Sequence, residues 1–167
     1  MELIQNKVAE SGLVVLDLAD FLPKEAVVGL DIKAFLFHGM VLREKEFREM
    51  LRAYDWSAFS GKFVAVYCST DAIVPRWAYM LIATYLQPLS LGISAGTPES
   101  FTESLTLQAI QNFEVEHLRD ARVIVKGCGD NTLSDAMYMQ MSLRLLSVVK
   151  SLMYGEPCST VPVYKKK

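Results

Sequence analysis

FVAVYCSTDAIVPRWAYMLIATYLQ, residues 63–87, is the stretch that decides the fold. Phe63 to Tyr67 form a short apolar run rich in β-branched and aromatic side chains. The turn signal Ser60-Gly61 precedes it, so the run reads as a buried strand. Pro75 suits a first helical turn, where its missing amide would have no partner. The helix it opens continues through RWAYMLIATYLQ and is apolar nearly all round, which requires cover on more than one side.

The alternation continues downstream. Leu91 to Ser94 reads as a second strand, and Thr97-Pro98-Glu99 as an N-cap, a proline and an acidic first turn. Phe101, Leu105, Ala109 and Phe113 recur every four residues, the spacing of one helix face. Val123 to Lys126 reads as a third strand. Thr132 with Asp135 resembles a capping box, and Met137, Met141, Leu145 and Val148 make the stripe of the helix that follows. Ser151 to Tyr154 is a fourth strand. Upstream, Leu13 to Leu18 is another strand, and REKEFREMLRAY is a helix with Phe47, Met50, Leu51 and Tyr54 on one face and Glu44 paired to Arg48. IKAFLF, from Ile32 to Phe37, fits strand or helix equally. No internal repeat or low-complexity tract stands out. Short apolar strands alternating with helices need crossover connections. The expected fold is one α/β domain over residues 1–167, a three-layer, mostly parallel sheet with helices on both faces, Rossmann-like in the broad sense.

The 167 residues suffice to bury a core without staples. They are 51% hydrophobic, yet no apolar run approaches the roughly 20 residues a membrane helix needs, so no membrane span is expected. MELIQNKVAESG lacks the basic region and apolar run of a secretory signal, which makes the cytoplasm the expected location. A net charge of −2 argues against nucleic acid as a partner. Lys165-Lys166-Lys167 reads as a frayed, solubilising end.

The three cysteines share a setting. Cys68 follows FVAVY, Cys128 follows VIVKG, and Cys158 comes shortly after SLMY. In one open parallel sheet these strand ends share an edge, the edge where ligands bind. Asp71, Asp130 and Glu156 lie two or three residues from a cysteine, and helix N-termini after two of the loops would favour thiolate. Gly127, Gly129, Gly155 and Pro157 supply tight turns. In a reducing compartment disulfides are disfavoured. Three thiolates with Asp71 or Asp130 as a fourth ligand would suit zinc, iron or an iron–sulfur cluster. No CxxC pair is present, and cysteine is also a common buried filler.

Other residues carry less. His38, within FLFHG, reads as a core histidine, and His117, among charges, as a surface one. Ser159 and Thr160 read as turn residues rather than nucleophiles. Without GxGxxG or a P-loop motif, no nucleotide cofactor is expected.

LREKEFR, YCSTDAIVPRWAYML, VIVKGCGD and SLMYGEPCSTVPVYK together resemble a bacterial family known as domain of unknown function 2480, over essentially the whole chain. The family label supplies no activity. The resemblance implies that Cys68, Asp71, Cys128, Gly129, Asp130, Glu156 and Cys158 are the positions to test. It also implies an association with iron–sulfur cluster assembly, whose proteins become candidate partners alongside a homo-oligomer. The expected function is metal or iron–sulfur binding by the three cysteines. The alternatives are a cysteine-dependent thiol enzyme and a non-catalytic scaffold with structural cysteines.

Overall fold

The computed structural model describes residues 12–127 and 133–167. Among them are seven strands and four α-helices. The strands are β1 (Leu13–Asp17), β2 (Val27–Asp31), β3 (Phe63–Tyr67), β4 (Gly92–Ala95), β5 (Arg122–Lys126), β6 (Ser151–Glu156) and β7 (Ser159–Lys165). The helices are α1 (Glu44–Ala53), α2 (Arg76–Leu86), α3 (Pro98–Asn112) and α4 (Asp135–Leu145). The protein is a mixed α/β fold with open, mostly parallel sheets. The strands form two sheets rather than one. One has the order β1-β5-β6-β7, the other β2-β3-β4, and only the β6–β7 pair is antiparallel.

The sheets belong to two compact units. One is split in sequence, residues 1–22 and 103–167, and the other is continuous, residues 23–102. Each has its own core. In the continuous unit Phe47 and Leu51 of α1, Ala78, Ile82 and Leu86 of α2, and Val64 and Val66 of β3 pack in one cluster. In the split unit Ile110 of α3, Met137, Met141 and Leu145 of α4, and Val123 and Val125 of β5 do the same. Ala65 and Ile124, which point to the opposite face of each central strand, are also fully buried. A strand buried on both faces must be apolar throughout, which is why FVAVY and RVIVK do not alternate.

The two units repeat one another. Arg76–Leu86 and Asp135–Leu145 differ by fifty-nine positions, as do Phe63–Tyr67 and Arg122–Lys126. Phe63 pairs with Gly92 and Arg122 with Ser151, which preserves the displacement. Loop hydrogen bonds repeat as well: Leu91 N donates to Lys62 O at 2.9 Å, and Lys150 N to Ala121 O at 2.8 Å. Gly61 at φ 68 corresponds to Asp120 at φ 56. The opening strands are equivalent too. Asp17 caps a 3₁₀ turn, Leu18–Phe21, by accepting from Ala19 N, and Asp31 caps Ile32–Phe35 by accepting from Lys33 N, both at 3.0 Å. The chain thus contains an internal structural repeat that the sequence pattern does not display. The order is nested, because β1 pairs with β5 while the whole continuous unit lies between them in sequence.

Several local readings change. IKAFLF is neither strand nor long helix but a capped 3₁₀ turn followed by a bridge between Phe37 and Val41. The buried positions of α3 are Phe101, Thr106 and Ile110, while Ala109 is exposed. A helix turning 3.6 residues per turn drifts off a strict four-residue repeat. Of the expected α1 face, Phe47 and Leu51 are buried but Met50 and Tyr54 are exposed. Two of the three C-terminal lysines are not frayed: Lys165 pairs with Ser151, and Lys166 N donates to Lys150 O at 2.9 Å. Among the described residues no helix is long and apolar enough to cross a membrane.

Candidate thiol sites

Cys68 leaves the end of β3 half-buried against the core of the continuous unit. Its Sγ lies 3.4 Å from Thr70 Oγ1, and Thr70 Oγ1 donates to Gly39 O at 2.8 Å. Threonine has one hydroxyl hydrogen. With that hydrogen committed to Gly39, the thiol is the donor toward Thr70. A protonated, packed sulfur is the behaviour of a structural cysteine. Beside it, burial and then the neighbouring Cys68 raise the pKa of Tyr79.

Ser69 and Asp31 are joined by two hydrogen bonds at this strand end. Asp31 Oδ1 accepts from Ser69 N at 3.1 Å and Oδ2 from Ser69 Oγ at 2.5 Å. Burial alone would raise the Asp31 pKa. The hydrogen bonds from Ser69 and Lys33 outweigh it and hold the carboxyl below its ordinary value. They tie β2 to the β3 loop. Asp71 is exposed. The cross-strand role of Asp31 is absent from the sequence reading, although Asp17 and Asp31 each follow an apolar run and precede a phenylalanine four residues later.

Cys158 has a different setting. Pro157 and Cys158 form the two-residue turn between β6 and β7, closed by the Glu156–Ser159 pair, and the thiol is free and exposed. Gly155 has φ +116, and a Cβ there would lie 2.5 Å from Ser159 O, so glycine is required one residue before the final pair.

Cys128, Gly129, Asp130 and Thr132 fall outside the described residues. Gly127, the last residue before them, receives a hydrogen bond on its carbonyl from Tyr138 Oη at 3.2 Å. β5 runs parallel to β6 with Val125 opposite Tyr154, so the chain leaves β5 on the same sheet end that carries the Cys158 turn. Cys68 follows a strand of the other sheet. The shared-edge argument therefore applies to the β5 and β6 ends alone. Among the described residues no three His, Cys, Asp or Glu side chains are grouped to hold a metal ion.

The histidines are both exposed. That overturns the core reading of His38, which sits at φ 50 on a tight loop edge-on to Phe37. His38 follows the 3₁₀ turn and its bridge region at the surface, where Phe37 beside it is exposed as well. Ser159 and Thr160 begin β7, opposite Glu156 and Gly155 of β6.

These features define a class: an open, mostly parallel α/β protein with an internal repeat and a free thiol at one strand-end turn. The chain belongs to the family described as protein of unknown function (DUF2480), whose model matches residues 2–166. No curated protein and no solved structure matches it.

Proposed function

We propose that the protein binds a metal ion, zinc or iron, or an iron–sulfur species through cysteine thiolates at the C-terminal edge of the four-stranded sheet. Cys158 and Cys128 are the principal ligands, with Asp130 as the oxygen ligand. Cys68 and Asp71 follow a strand of the other sheet, and the thiol hydrogen bond to Thr70 favours a packing role for Cys68. The observation that supports this reading is the exposed thiol of Cys158 in a two-residue turn at the sheet end toward which β5 leads. Two thiolates, a carboxylate and a water would complete a tetrahedral set, or leave an open position on iron. A protein with such a site in the cytoplasm would serve iron–sulfur assembly as a carrier or accessory partner.

The test is metal analysis of protein purified without oxygen, together with melts in the presence and absence of chelator. Wild type should retain metal and lose stability on chelation, because binding energy at such a site is folding energy. Cys158→Ser should lose both the metal and the chelator response. Equal chelator responses in the two proteins would remove Cys158 from the ligand set. In metal-free protein Cys158 should alkylate readily and be protected by zinc or ferrous iron. Rapid alkylation that metal leaves unchanged would point instead to a thiol enzyme.

A further inference from the structure

We infer that the opposite end of the four-stranded sheet is a binding site for a small organic molecule carrying phosphate. Arg122 opens β5, Ser151 opens β6 and Lys165 closes β7, and these three residues are paired side by side across the sheet. Lys150 stands immediately before Ser151. It is fixed from both sides, its amide donating to Ala121 O at 2.8 Å and its carbonyl accepting from Lys166 N at 2.9 Å. Together they border a cavity of about 380 Å³ whose lining contains three cationic side chains and no acidic one. Ser151 and Tyr164 add hydroxyl donors, and Met153 with Pro162 supplies an apolar wall. Asp120, the acid closest in sequence to Arg122, is engaged by Lys166 Nζ at 3.1 Å.

Like charges gathered around one cavity repel one another. The fold does not demand them here, because the equivalent positions in the continuous unit are Phe63, Leu91 and Gly92. The cluster is therefore particular to the split unit, where β7 adds Lys165 and has no counterpart after β4 among the described residues. It also occurs in a chain of net charge −2, so it is not part of a generally basic surface. A concave site lined by cationic and hydroxyl side chains with one apolar wall suits a ligand with an anionic head and a small organic body. Arginine and lysine make charge-assisted hydrogen bonds to phosphate oxygens, which are stronger than neutral ones.

Inorganic pyrophosphate is the probe, titrated calorimetrically into the full chain at low ionic strength. Saturable one-to-one binding is expected, weakened about tenfold by each of Arg122→Gln and Lys150→Gln and unchanged by Lys45→Gln on α1. Both target residues are exposed, so melts should show the variants folded. A second arm measures sedimentation with phosphatidylcholine vesicles with and without phosphatidylserine. Pyrophosphate binding without vesicle binding assigns the phosphate to a soluble ligand. Vesicle binding abolished by the same two substitutions assigns it to a lipid headgroup. No saturable binding in either arm, or binding that both substitutions leave intact, overturns the site.

Discussion

Asp31 shows how one carboxylate joins two chain segments distant in sequence. Its folded pKa lies below its unfolded value, so the unfolded chain takes up the proton first as pH falls. The stability it contributes is complete above the ordinary aspartate range near pH 4 and is lost as pH drops through the folded value. Urea unfolding between neutral pH and pH 3 should show a steeper acid loss in wild type than in Asp31→Asn. Parallel declines would remove Asp31 as the cause. Gly61 makes the complementary backbone case. It sits at φ 68 with nothing within 4 Å of a built Cβ, so Gly61→Ala should cost about 1 kcal/mol in a thermal melt through conformation alone. The sequence shows Gly61 as a turn residue plainly, since serine and glycine lead into an apolar run. It hides Asp120, which occupies the same conformation without being glycine.

At the scale of elements, Gly127 marks the exit from β5. A Cβ there would collide with the hydroxyl of Tyr138 on α4 and come within 2.6 Å of Leu133. Gly127→Ala should therefore cost about 1–3 kcal/mol. Tyr138→Phe alone should cost about 1 kcal/mol for the lost hydrogen bond to Gly127 O. In the double variant the alanine penalty should shrink, because the hydroxyl it meets first is gone. Simple additivity of the two changes in denaturant melts would show that the clash is not with Tyr138. Strands and helices were largely legible here: FVAVY, ARVIVK and the methionine stripe of α4 read as they fold. The inward residues of α3 were not, because Thr106 is a fully buried polar residue where the pattern offered Leu105. Sheet membership was not legible either. An apolar run states that a strand is buried, and says nothing about which strand lies beside it.

Across the whole molecule, two cores repeat one plan with different side chains. Val64 and Val123, Tyr79 and Tyr138, and Leu86 and Leu145 coincide, but Phe47 is equivalent to Thr106, and Ala78 and Ile82 correspond to Met137 and Met141. Compensating volumes keep each core filled while erasing the likeness of the letters. The repeat therefore lies in hydrogen bonds and register more than in residue identity. Met141→Ala should cost about 2–4 kcal/mol. Hydrogen exchange should show the protection loss in β5 and β6 before β3, since Met141 belongs to the core of the split unit alone. Equal loss in β3 would mean that the two cores unfold as one. The thiols mark where the sequence stops informing. The strand-end placement of Cys68 and Cys158 was visible, whereas their division between two sheets depended on pairing. The nested order also bears on how the chain is made. As it emerges from the ribosome N-terminus first, β1 appears early but its partner β5 follows only after the continuous unit has been synthesised. The continuous unit can close as soon as β4 is out, while LVVLD waits with its edges unpaired. Translation itself thus sets an order of maturation, and the nascent β1 segment is the part of this protein with most to gain from a chaperone.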